Sequence, residues 1–399
     1  HRHYRRQRQM CIRDSKIIVL DNGQIVESGR HDELIENKSV YHSLYKNKFE
    51  DSPKSNSIAT QTTQLFLPEY EDEASTSYVV DSWYKKSLWL YLLYPFALIF
   101  SYLTTRRRRK YIKNINESYK ADVPIIVVGN LTIGGTGKTP LVKHIAIELI
   151  ERGYKPGIVS RGYGGKFKET LQVKEDSSVK ETGDEAQILA KLNLPFYLDK
   201  NRVRAVKTLI KNHDCDVIIS DDGLQHYSMA RDIEIAVIDG KRRFGNNLTF
   251  PAGPLRESIK RLKSVDFIVN NSGPTEEDEF LMSVSPSKFV HLKSGKSYSV
   301  DNWPMHKQIH AVAGLGNPGR FFDLLEKLGF EIIRHPFPDH HNFTSSDMFY
   351  LDHLPIVMTE KDASKCKDLD INKIWYLTID ADVSNKFIDK LDNKLKSLN

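Results

Sequence analysis

The chain runs to 399 residues, 28% of them charged and 40% hydrophobic, with a formal net charge of +6. That balance excludes a disordered chain, and the length leaves room for two or three domains with sizeable cores. Cys11, Cys215 and Cys366 stand too far apart for a disulfide framework or a metal-ligand set, which points to a reducing compartment. The first residues lack the apolar core of a secretory signal.

His1 to Ser15 is basic and without pattern. Ile17-Ile-Val-Leu20, a turn at Asp21-Asn-Gly23, Gln24-Ile-Val26 and a helix from His31 then follow one another. Residues 16–51 closely resemble the C-terminal end of an ABC exporter's nucleotide-binding domain. That domain's phosphate loop, signature motif and Walker B strand are absent, so this piece is not expected to hydrolyse ATP alone. A remnant of an upstream reading frame, a fusion to an exporter and an assembly fault all remain open as its origin.

Residues 52–82 are rich in Ser, Thr, Gln, Glu and Asp and read as a linker. Residues 83–120 form a hydrophobic and then basic segment. Leu88 to Leu103 is apolar or aromatic, broken at Pro95, and Arg106-Arg-Arg-Arg-Lys110 follows. A full bilayer crossing takes about 20 residues, so spanning is marginal. Aromatic residues beside a cationic cluster suit a helix seated at an anionic membrane surface.

From residue 121 to about 300, strand-like runs alternate with helical patterns. The strands are expected at 125–128, 157–160, 196–198, 217–220, 233–238 and 267–270. Helices are expected at 141–152, 184–192, 202–211 and 258–262. This alternation predicts an α/β fold, a mainly parallel sheet with helices on both faces. The pattern weakens between Pro274 and Pro304, then restarts as a smaller α/β domain over 301–399. That domain is expected to hold strands at 308–313, 331–334 and 356–359 and a helix at 319–328.

Ile125-Ile-Val-Val-Gly-Asn-Leu-Thr-Ile-Gly-Gly-Thr-Gly-Lys-Thr-Pro140 joins a buried strand to a helix through a glycine-rich loop. Such a loop cradles phosphates with backbone N–H groups, while Lys138 neutralises them and the Thr139 hydroxyl is placed for Mg²⁺. The generic motif has glycine where this chain has Thr132, but Gly134, Gly135, Gly137, Lys138 and Thr139 stand in place. A nucleoside triphosphate is the expected ligand, and the core is expected to be phosphate-loop NTPase-like.

The strand at 217–220 ends in Asp221-Asp-Gly-Leu-Gln-His226, and a carboxylate at such a strand end holds Mg²⁺ directly or through water. Ser160-Arg-Gly-Tyr-Gly164 brings a cation and an aromatic ring to the same sheet edge. Asp184, in Gly183-Asp-Glu185, opens a helix and fits either a cap or a catalytic base. Arg256 and Glu257 follow the loop Phe250-Pro-Ala-Gly-Pro254.

Together with Ala313-Gly-Leu-Gly-Asn-Pro318 and Thr359-Glu-Lys-Asp362, these motifs stand in the order found in one family. From about Trp83 to the C-terminus the chain resembles the tetraacyldisaccharide 4′-kinases, the lipid A 4′-kinases of Gram-negative bacteria, whose own loop accommodates Thr132. The resemblance implies transfer of the ATP γ-phosphate to the 4′-hydroxyl of tetraacyldisaccharide 1-phosphate, forming lipid IVA. It implies work at the cytoplasmic face of the inner membrane, with the membrane glycolipid and anionic lipids as partners and no nucleic acid.

By position, the resemblance assigns ATP to Thr132, Gly134, Gly135, Thr136, Gly137, Lys138 and Thr139. It gives Mg²⁺ organisation to Thr139, Asp221, Asp222 and Glu257. Lys138 and Arg256 would balance phosphoryl charge, Asp184 would be the general base, and His340 in Phe337-Pro-Asp-His340 would pair with it. His341 next door leaves the choice of histidine open. The rival classes are a regulatory or metallochaperone-type phosphate-loop NTPase and a transport subunit.

Overall fold

The computed structural model describes residues 17–21, 24–29, 37, 78–85, 87–113, 118–315, 318–339, 341–350 and 352–398. It divides into two units, residues 1–70 and 71–399. In the first unit, β1 (Ile17–Asp21) pairs antiparallel with β2 (Gln24–Gly29), with a bulge between Val19 and Leu20. The helix expected from His31 lies outside the described residues.

The second unit opens with a helix, α1 (Tyr78–Tyr84), where the sequence reads as linker. Trp83 explains the difference. It is 4% exposed, donates its indole N–H to Pro251 O at 3.1 Å, and packs edge-on against Phe250. A 3₁₀ turn (Leu88–Leu93) then leads into α2 (Tyr94–Lys113). Pro95 does not break the helix. It stands in the first turn, where a backbone N–H has no helical partner to lose.

A single sheet runs through the rest of the unit. Its central strand, β3 (Ile125–Gly129), lies between β7 (Val217–Asp221) and β8 (Ile233–Asp239), all parallel. On the β7 side follow β4 (Pro156–Ser160), β6 (Phe196–Leu198) and the short β5 (Leu171–Gln172); on the β8 side follow β9 (Phe267–Asn271) and β10 (Glu279–His291).

Alternation along β3 sorts its side chains between two faces. Ile126 and Val128 pack with Leu141, Ile145 and Leu149 of α3 (Lys138–Glu151). Ile125 and Val127 pack with Ala205, Val206 and Leu209 of α6 (Arg202–Asn212). Between these helices in the chain lie the short α4 (Val179–Thr182) and α5 (Asp184–Ala190). Residues 258–262, expected as a helix, fall in a 3₁₀ turn, Ile259–Ser264.

The second lobe extends the same sheet. Here β12 (Gln308–Ala313) lies between β13 (Glu331–Pro336) and β14 (Ile356–Thr359), and β14 pairs with β15 (Ile374–Val383), all parallel. Helix α7 (Gly319–Lys327) covers it, and the one-turn α8 (Glu360–Ser364) follows β14. The lobes join where β15 pairs antiparallel with β10, which also carries the short β11 (Ser297–Ser299). The register slips between Pro286 and Phe289, at the one kind of place inside a sheet that tolerates proline.

The last helix, α9 (Asn385–Lys396), returns to the first lobe, so a C-terminal domain of 301–399 is not a single body. Phe387, Ile388, Leu391 and Leu395 join the core built on α3, and Arg152 Nη2 bonds Asp389 at 2.8 Å.

Candidate active site

The site gathers at the carboxyl ends of β3 and β7. Their register sets Val128 opposite Asp221, so the glycine-rich loop leaving β3 begins beside the Asp-Asp pair leaving β7. The loop is braced from within: Asn130 Nδ2 donates to Gly134 O at 3.3 Å and to Thr136 Oγ1 at 3.2 Å. Gly137 caps α3 at φ +89°, and an added Cβ would sit 2.4 Å from Asn271 Nδ2. Only glycine fits there. The same Asn271 amide donates to Thr136 O at 3.1 Å.

A second loop, residues 249–257, clamps the first from outside. Ile133 N–H donates to Pro254 O at 2.8 Å, and buried Thr132 makes an antiparallel bridge with Leu255. This contact gives a physical reason for a β-branched residue where the generic motif has glycine. Thr132 acts as a short strand residue.

Lys138 Nζ lies 3.6 Å from Asp222 Oδ1, and Arg256 Nη1 reaches both Asp222 oxygens at 3.0 and 3.2 Å. Burial alone would raise the Asp222 carboxyl, but Lys138 and Arg256 outweigh it and hold the group below the usual carboxylate range. Asp221 is the opposite case. Burial pushes its carboxyl up to about 7 against the pull of Lys138, and its Oδ1 has no hydrogen-bond partner among the described residues. Glu257 is buried behind these groups. It accepts from Tyr227 Oη at 2.6 Å and from Gln225 Nε2 at 3.5 Å.

Sequence reasoning missed Arg202. Its side chain is almost wholly buried and donates to the carbonyl oxygens of Asp221 and Asp222 at 2.9 and 3.2 Å, which fixes the turn presenting both carboxylates. Burial lowers its guanidinium to about 10. In sequence it is one basic residue on an amphipathic helix, with nothing to mark it. Burial, reinforced by Arg202, Arg231, Arg107 and Arg161, lowers His226 to about 4.

Asp184 begins α5 and is buried. Gly183 before it has φ +81°, and a Cβ there would come within 2.2 Å of Tyr163 O, so the turn onto Asp184 requires glycine. Two ammonium groups from the second lobe face its carboxylate: Lys365 Nζ at 3.5 Å and Lys361 Nζ at 3.8 Å from Oδ2. Lys361 also lies 3.4 Å from Asp339, the neighbour of His340. His340 itself lies outside the described residues. His341 is engaged elsewhere, with Nε2 3.2 Å from Asp347 Oδ2. The loop expected to pair with Asp184 therefore reaches its vicinity.

The two signature segments of the second lobe hold each other. Asp362 is fully buried and accepts from Gly314 N–H at 2.9 Å and from Thr359 Oγ1 at 2.8 Å.

The family model for tetraacyldisaccharide-1-P 4′-kinase matches residues 89–396. A tetraacyldisaccharide 4′-kinase from Ruthia magnifica is 47% identical over 307 residues, 76% of this chain and 97% of that protein. One from Methylobacillus flagellatus is 42% identical, over 79% of this chain and 95% of its own. The crystal structure of LpxK from Aquifex aeolicus in complex with ATP superposes with a TM-score of 0.68 at 27% identity. That match covers 78% of this chain and 99% of the Aquifex one. A match from residue 89 to residue 396, with relatives covered nearly end to end, places this chain in the tetraacyldisaccharide 4′-kinase family.

Proposed function

We infer that this protein transfers the γ-phosphate of ATP to the 4′-hydroxyl of tetraacyldisaccharide 1-phosphate, giving lipid IVA. The observation that carries the reading is the phosphate loop locked to the loop of Arg256, with Lys138 and Arg256 converging on Asp222. Two cations set beside a phosphate cradle suit charge that spreads over a transferring phosphoryl group.

Thr132, Gly134, Gly135, Thr136, Gly137, Lys138 and Thr139 form the proposed cradle for ATP. Its backbone N–H groups would hold the phosphate chain and Lys138 the β- and γ-phosphates. Mg²⁺ fits Thr139 and Asp221: the buried Asp221 Oδ1 has no hydrogen-bond partner among the described residues, and a bound cation would supply one. Asp222 and Glu257 support them from behind, one steering Lys138 and Arg256 and the other holding Gln225 and Tyr227. When bound, the ion would offset the negative charge of the phosphate groups.

Asp184 is assigned as general base, with His340 as its partner. The 4′-oxygen bonds to the γ-phosphorus as the bond to the β,γ-bridging oxygen breaks. ADP leaves, and the hydroxyl proton passes to Asp184. Meeting of the lobes across α5 and α8 would exclude water from the donor.

The acceptor carries acyl chains, and α2 suits work at a bilayer. The helix Leu88–Lys113 is long and apolar enough to cross a membrane by length and composition, and 11% of its most apolar window is buried. One face docks on the kinase core, through Ala97 O to Thr249 Oγ1 at 2.9 Å, Phe100 against Phe250, and Arg108 to Ser264 at 2.7 Å. Leu92, Phe96, Ile99 and Tyr102 on the other face are exposed. We assign that face to the cytoplasmic leaflet of the inner membrane, with the basic run meeting anionic headgroups.

The test supplies ATP, Mg²⁺ and tetraacyldisaccharide 1-phosphate in mixed micelles and follows the product by mass spectrometry. Gain of one phosphate is expected. ATP hydrolysis independent of the lipid, with no phosphorylated product, would overturn the reading.

A further inference from the structure

Asp184 and its two lysines come from different lobes. The carboxylate belongs to α5 of the first lobe; Lys361 and Lys365 belong to and follow α8 of the second. The same seam is tied further along by Lys191 to Glu360 at 2.6 Å and by Lys367 to Gln187 at 3.0 Å. Both ammonium groups facing Asp184 therefore depend on contact between the lobes.

Each lysine is also anchored at home. Lys361 lies between Asp339 and Asp184, and Lys365 Nζ bonds Asp362 at 3.1 Å while sitting 3.5 Å from Asp184. Asp362 is immobilised in turn by Gly314 and Thr359. The lysines thus keep their places whether or not Asp184 carries a proton. Their separations from Asp184 exceed the roughly 2.7–2.9 Å of a good charge-assisted hydrogen bond, so they act on it chiefly by charge.

Resting on the reading of Asp184 as the base, we propose that Lys361 and Lys365 are positioning residues for it. They hold its carboxylate ionised and aimed, and the base is armed only when the second lobe docks on α5. Among the described residues, the charged groups facing this point are Lys361, Lys365 and Asp362 from the α8 segment, Asp339 from the loop after β13, and Glu185 on α5 itself. Burial works against the charge on Lys361, and Asp339, Asp184 and Glu185 more than offset it, holding the ammonium above the usual lysine value. Its charge therefore persists across the working pH range. When Asp184 takes the hydroxyl proton, both lysines are left partly uncompensated, which favours prompt loss of that proton and resets the base.

The experiment compares pH profiles of kcat and kcat/KM for the full chain and for Lys361→Met, Lys365→Met, Lys361→Arg, Lys365→Arg and Asp184→Asn. An opposite charge within a few ångströms lowers a carboxylate pKa by roughly 1–3 units, so each Met variant should move the acid limb up by about one pH unit. The Arg variants should restore the limb, and ATP affinity should stay within about twofold of the parent because neither lysine touches the phosphate loop. Thermal unfolding is followed alongside; if a Met variant unfolds, the Gln variant carries the same comparison. Lower turnover with an unmoved acid limb would overturn the proposal and leave Asp184 as base. Full turnover by Asp184→Asn would instead overturn the base assignment itself.

Discussion

The main-chain N–H of Arg256 donates to the carbonyl oxygen of Leu131 at 2.6 Å. This bond ties the loop supplying the arginine to the glycine-rich loop. The same 249–257 loop receives α2 through Thr249 and Phe250, and α1 through Pro251. The glycine-rich loop, Arg256 and α2 are therefore fixed to one irregular segment of chain.

Replacing Arg256 with Ala removes the guanidinium and spares its main-chain bond to Leu131. Turnover should fall by about a hundredfold or more, the scale of losing a preorganised cation at a transferring phosphoryl group. The unfolding midpoint should stay near that of the parent, because Lys138 still faces Asp222. Lysine at 256 should recover only part of the rate, since it keeps the charge but lacks the planar, delocalised guanidinium and its fixed set of donors. Steady-state kinetics with melting curves decide it; an unchanged kcat in the Ala variant would remove Arg256 from the reaction.

Leu92, Phe96 and Ile99 lie on the uncovered side of the proposed anchor. Changing all three to Glu should abolish co-sedimentation with vesicles containing anionic phospholipid, because each insertion would bury a carboxylate in hydrocarbon. ATP binding should persist, since the docked face through Ala97 and Phe100 is untouched. Undiminished sedimentation would place the membrane contact elsewhere.

The central strands and the phosphate loop were legible because their signals are local: a short apolar run, fixed glycine spacing, then a helix. The second lobe's first strands and helix were legible for the same reason. The joint between the lobes was not, because β10 contains Pro286, which reads as a strand breaker until the register slip beside it is seen. The allegiance of α9 was also hidden: an amphipathic helix declares an apolar face, not the partner for that face. Arg202 and Lys365 looked like ordinary surface cations, and Lys361 stood in the Thr359-Glu-Lys-Asp362 motif with no role attached to it. Their importance lies in contacts with Asp221, Asp222 and Asp184 that only the folded chain creates.

Phe387 tests the placement of α9. It is fully buried, and its ring meets Phe267 and Phe280 at centroid distances of 5.5 and 5.4 Å. Phe387→Ala should cost about 3–5 kcal/mol in chemical denaturation, the range for deleting a buried aromatic side chain. Its effect should reach the first lobe, lowering protection of α3 amides from hydrogen exchange although residue 387 lies near the chain's end. Loss confined to the second lobe would contradict the packing.

His335 offers a pH test away from the reacting groups. His310 Nδ1 and His335 Nε2 lie 2.9 Å apart, His310 Nε2 faces Asp352 at 2.9 Å, and Tyr350 stacks on both rings. Burial, with a smaller effect from His310, lowers His335 to about 4 from an ordinary 6.5. Between pH 6.5 and 4 the unfolded chain therefore binds more protons at this residue than the folded chain. Its contribution to stability is present above pH 6.5 and is lost as the pH falls through that window. Protonating both rings would also set two N–H donors against each other across the 2.9 Å contact. The melting temperature should accordingly fall more steeply from pH 6.5 to 4.5 in the parent than in His335→Gln, which has no titrating ring. Parallel curves for the two proteins would show that His335 is not held neutral by its surroundings.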